Sequence, residues 1–226
     1  MDTKDFNYIW VGDLRSEYPA INSLYQGIEN GSITNGGICW AVATCNAVAY
    51  LTNREPTQIV TNTLSFGQVD PNSWNIKRGR LSQSVKFGYL YPEEAARELD
   101  DLFLTEYYGL KATVVSSKEI GYTQALKELS EALESTGAIV MDLIIKDVDY
   151  KPRYLTSIGY HSVCIIKDAQ GTYFLVDPDS YYPHELTKEQ LKDLFEGKYI
   201  FSGPIKFRIN RANLGVYFKK TGKQLT

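Results

Sequence analysis

The chain is poor in the residues that most often bind metals or form cross-links. In 226 residues there are three cysteines and two histidines. An odd, small cysteine count excludes a disulfide framework. Cys39 and Cys45 stand six apart, and no CxxC or HxxxH pair occurs. A structural zinc site is thereby disfavoured, and no cofactor or metal is expected. No dense Lys/Arg block is present, and the formal net charge is −3. That argues against a nucleic-acid or anionic-membrane footprint. No apolar run approaches the ~20 residues needed to cross a bilayer. Met1-Asp2-Thr3-Lys4-Asp5 lacks the apolar core of a signal peptide. The expected location is the cytoplasm, or outside it by an export route or pre-segment not visible in this sequence.

Aromatic residues are plentiful, chiefly as 17 tyrosines. Tyr packs its ring and keeps a polar tip, which suits β-rich packing or a polar-rimmed peptide cleft. The length fits one domain. Helical patterns dominate the first half and strand patterns the second, so the expectation is a single α+β domain over residues 1–226. About 1–34 form a turn-rich lead-in, 35–137 a mainly helical lobe and 138–226 a mainly β lobe.

Within the first lobe, residues 38–51 read as a central helix. Ile38, Ala41, Cys45, Val48 and Ala49 make a broad stripe, and small residues allow close packing all round. Pro56-Thr57-Gln58-Ile59-Val60 reads as the start of a second, short helix, and Pro92 and the acids after it open a further one towards Gly109. Residues 111–115 read as a short strand, and Thr123 to about Ser135 as an amphipathic helix closed by Gly137. In the second lobe, Ala138–Ile145, His161–Asp168 and Thr172–Asp177 read as strands, with a hairpin turn at Gln170-Gly171. Leu186–Glu196 reads as a helix, and Tyr199–Ile209 and Val216–Lys220 as strands.

The chemistry centres on Asn35-Gly36-Gly37-Ile38-Cys39-Trp40-Ala41. A cysteine at a helix N-terminus meets free N–H groups and a partial positive charge, which favour the thiolate. The same N–H groups can hold an oxyanion. The two glycines let the chain turn and a substrate approach. Cys45 lies about 240° round the helix from Cys39 and reads as core. A thiol nucleophile needs a base. His161 opens a strand, while His184 sits in a turn, so His161 is the favoured base. A third group should orient the ring through Nδ1. Asp177, at the end of the neighbouring strand, is placed for that, with Asp179 the alternative.

These stretches, Gly37-Ile38-Cys39-Trp40-Ala41, Gly159-Tyr160-His161-Ser162-Val163 and Tyr173-Phe174-Leu175-Val176-Asp177-Pro178, resemble the papain-like cysteine peptidase superfamily. The compact bacterial type is most similar: staphopain-like, bacteriocin-leader-processing and effector proteases. The resemblance covers the layout of roughly residues 26–209 and about three short motifs in letters. It implies a papain-like fold, with an N-terminal helical lobe carrying the nucleophile helix and a C-terminal antiparallel β lobe. It also implies a thiol protease that cleaves peptide or isopeptide bonds of a peptide or protein substrate through Cys39, His161 and Asp177. The family usually places an oxyanion-hole Gln a few residues before the Cys. Here Ile33 is sixth before Cys39; Gln26, followed by Gly27, and Asn35 are the oxyanion-hole candidates. Cys-Trp-Ala also resembles transglutaminase-like proteins, which implies acyl transfer to an amine or deamidation. A third reading is a non-enzymatic binding module on a papain-like scaffold.

Overall fold

A computed structural model describes residues 6–8, 39–55, 108–147, 159–178, 180, 182–201, 205–209 and 214–222. Gln26, Asn35, Asp179 and the helices expected from Pro56 and after Pro92 lie outside these residues. Among the described residues the protein is an α+β structure built on one antiparallel sheet. Its strands are β1 (Leu110–Val115), β2 (Ala138–Asp147), β3 (Gly159–Lys167), β4 (Tyr173–Val176), β5 (His184–Leu186), β6 (Ile200–Phe201), β7 (Ile205–Ile209) and β8 (Gly215–Lys220). The main order is β1-β8-β2-β3-β4-β5. β7 and β8 lie end to end along one side of β2, against Leu143–Asp147 and Ile139–Met141 respectively. β1 thus joins a sheet otherwise made from the C-terminal half, so the two expected lobes share one sheet.

The helices are α1 (Cys39–Thr52), α2 (Ser117–Ile120), α3 (Tyr122–Thr136) and α4 (Lys188–Glu196). Alternation along the strands supplies two apolar faces. One carries Val140, Cys164, Ile166, Val176 and Val216 and is covered by Val42, Cys45, Val48 and Ala49 of α1. The other carries Ile139, Met141, Leu143, Val163 and Ile165 and is covered by Leu129 and Leu133 of α3 and by Leu194 and Phe195 of α4. α1 is buried nearly all round, and its small residues make that possible. α3 is amphipathic, with only Ala125, Leu129, Ala132 and Leu133 fully buried. It stops at Gly137, whose φ of 87° few other residues tolerate, and there the Gly137 N–H caps the Leu133 carbonyl.

Three details depart from the sequence-based expectation. Leu186 ends β5 and does not begin a helix; α4 starts two residues later behind a Thr187–Gln190 capping box. The single strand expected over Tyr199–Ile209 is two strands, β6 and β7, which pair with each other. Gly203-Pro204 between them was the available signal, since proline cannot donate to a ladder. The short α2, capped by the Ser116 hydroxyl, was not foreseen.

Candidate active site

Cys39 is the first residue of α1. Side-chain description of the helix begins at Val42, so the direction of the thiol lies outside the described residues. The first turn carries no acidic side chain of its own to offset the positive end of the helix dipole. α1 packs along β3, and the anchor near its end implies that the two run in the same sense. Near its end the Tyr50 hydroxyl donates to the carbonyl of Lys167, the last residue of β3, at 2.7 Å. Working back from this fixed point, Cys39 lies about 16 Å away along the helix at ~1.5 Å per residue. His161 lies about 20 Å away along the strand at ~3.3 Å per residue. The start of α1 therefore falls at the same end of the sheet as His161.

His161 and Asp177 form a buried pair. Nε2 of the ring lies 2.7 Å from Asp177 Oδ1, and the two side chains are 5% and 4% exposed. The β3–β4 register aligns Cys164 with Val176. One step further, Asp177 stands across from Val163 and diagonal to His161 on the same face, within reach of a long side chain. The expected pairing is thus present, but through the other nitrogen. Asp177 faces Nε2, not Nδ1, which makes Nδ1 the ring atom turned away from the carboxylate. With Asp177 ionised, Nε2 is the nitrogen that donates to it, and in the neutral ring Nδ1 then carries the lone pair.

Strand alternation also places the ring. Its β2 partner is Leu143, and the imidazole centroid is 6.0 Å from that of Phe207, on the face covered by α3 and α4. α1 covers the opposite face. The helix start and the ring therefore share one end of the sheet but not one face. His161 is two residues from the start of β3.

Two further buried polar residues lie at the same end of β3, on the opposite face of the sheet. Asp142 and Ser162 face each other across β2 and β3, on the α1 side by alternation, and are 2% and 3% exposed. Six polar or charged residues are buried among the described residues, and four of them are Asp142, His161, Ser162 and Asp177. Buried polar groups are costly, so their concentration at the start of β3 singles it out as the candidate site. Sequence reasoning passed over Asp142. Its signal was a lone carboxylate inside the apolar run Ile139–Ile145.

The other cysteines are core residues. Cys164, on the α1 face, is completely buried, and burial pushes its thiol well above the ordinary range. Cys45 is buried against the same face. Among the described residues no group of three or more His, Cys, Asp or Glu could hold a metal ion. None of the helices there is long and apolar enough to cross a membrane. No protein-family model matches this chain, and no curated protein matches it in sequence.

Proposed function

We propose that the protein is a papain-like thiol hydrolase that cleaves peptide or isopeptide bonds, with Cys39 as nucleophile, His161 as base and Asp177 as the group that orients His161. The buried His161–Asp177 pair at the end of the sheet where α1 begins carries this reading. In it, Cys39 approaches the ring round the start of β3. His161 Nδ1 takes the thiol proton, and the thiolate attacks the acyl carbon. The C–N bond breaks as the amine leaves with the proton from His161, and a thioester remains. Water, deprotonated by the same nitrogen, then hydrolyses the thioester to a carboxylic acid and restores the thiol. Asp177 accepts from Nε2–H throughout and stabilises the imidazolium. N–H groups of the first turn of α1 face the developing oxyanion.

A short iodoacetamide pulse at mildly acidic pH, read by mass spectrometry, tests the nucleophile. Cys39 is expected to be alkylated while Cys45 and Cys164 are spared until the protein is unfolded. A peptide library incubated with a primary amine then separates the chemistries. Cleaved fragments that vanish in Cys39→Ala support the hydrolase. Amine incorporation points to a transferase, and partner binding retained in Cys39→Ala with no product points to a binding module. An unreactive Cys39 in the folded protein rules the proposal out.

A further inference from the structure

The second histidine sits at the turn that carries Asp177. β4 ends at Val176, so Asp177 lies just beyond the ladder that fixes its neighbours. The Asp177 carbonyl accepts the Ser180 N–H at 3.0 Å, closing the turn over the buried Pro178. The Ser180 hydroxyl donates to the Tyr182 carbonyl at 3.0 Å and lies 3.0 Å from His184 Nε2. A hydroxyl has one proton. With that proton on the Tyr182 carbonyl, Ser180 Oγ accepts from the His184 Nε2–H. His184 is the first residue of β5 and is anchored by its pairing opposite Leu175 of β4. A continuous path therefore runs from the ladder through the His184 ring and Ser180 to the main chain of Asp177.

We propose that His184 is a positioning residue for the His161–Asp177 pair: through Ser180 it fixes the turn from which the Asp177 carboxylate reaches His161. Its catalytic significance rests on the Cys39–His161–Asp177 reading, and His184 itself touches no reacting atom. The pair's bond spans 2.7 Å between two nearly buried groups. Such a bond tolerates only a small displacement of its carboxylate before it weakens. A turn lying outside the ladder is where that displacement would arise.

The chain has only two histidines, so ring-15N-labelled protein gives two imidazole spin systems. The buried His161 Nε2–H is expected to exchange slowly with water. In His184→Ala and Ser180→Ala its exchange should quicken by about tenfold or more. His184→Gln, whose amide nitrogen can stand where Nε2 stood and donate to Ser180, should restore it. The acid-range alkylation of Cys39 should move by about half a pH unit or more in His184→Ala and return in His184→Gln. An unchanged His161 signal in both alanine variants overturns the proposal. Ser180→Ala removes one hydroxyl from a turn, so it remains informative if His184→Ala fails to fold. The two readings fail separately. If wild-type Cys39 is not alkylated in acid but His161 exchange still answers to His184, the hydrolase reading falls and the positioning role of His184 stands. If Cys39 is alkylated and His161 ignores both variants, the reverse holds.

Discussion

The two ends of β3 both carry charged and hydrogen-bonding side chains, and burial makes them different objects. At its start, His161 and Asp177 pair out of contact with water, with the buried Asp142 and Ser162 on the opposite face of the sheet. At its end, Lys167 and Tyr173 both donate to Glu134 of α3, while the Tyr50 hydroxyl of α1 donates to the Lys167 carbonyl. The second cluster ties both helices to the sheet, but Glu134 and Lys167 remain in water, where an ion pair contributes little. In the first, water is excluded, so the same charges act strongly on each other and on any group brought beside them. One end of the strand thus fastens the fold, and the other is the candidate site.

The sharpest way to break this contrast is at Asp177. Asp177→Ala removes the carboxylate that the buried ring nitrogen of His161 bonds, which should cost about 1–3 kcal/mol in chemical denaturation. It should also lower hydrolysis by about 100-fold or more, because the carboxylate that orients the ring and stabilises the imidazolium is lost. Asp177→Asn keeps a carbonyl acceptor and removes only the charge. Its stability should stay within about 1 kcal/mol of wild type, with hydrolysis reduced by about tenfold. Equal losses in the two variants would mean that the charge, not the acceptor, matters.

Much of the start of β3 was legible in the sequence. A histidine opening a strand, an aspartate closing the next and a glycine turn between them nearly determine a hairpin register. The nitrogen that Asp177 meets was not legible, because the diagonal offset depends on the three-dimensional twist of β3 and β4. The face of the ring was equally hidden, since it follows from pairing with Leu143 on a strand that periodicity alone does not orient. His184 read as a turn residue because the three-residue β5 is too short to show alternation. The cluster at the other end was invisible for a different reason. Glu134, Tyr50 and Lys167 come from three elements far apart in sequence, and no local pattern joins them.

At the fastening end the largest expected effect is from Tyr50→Phe. It deletes one half-buried hydrogen bond to the Lys167 carbonyl and leaves ring packing against Phe6 intact. A loss of about 1 kcal/mol, or ~2–4 °C in Tm, should follow, with alkylation of Cys39 unchanged. A change in alkylation would show that the two ends of β3 are coupled through α1.

Glu134→Gln should do least and should do it in a pH-dependent way. Hydrogen bonds from Lys167 and then Tyr173 hold the Glu134 carboxyl below its ordinary range. A carboxyl depressed in the folded state contributes stability above its unfolded pKa and loses it as pH falls through the folded value. The variant should therefore melt about 1–2 °C below wild type at neutral pH, discounted for solvent screening. The difference should close as the pH is taken down past the ordinary carboxylate range, where wild-type Glu134 is itself protonated. Thermal melts of both proteins across that range measure it. A gap that persists in acid would mean that the Tyr173 bond survives without the charge, and that neutral hydrogen bonding rather than ion pairing fastens this end.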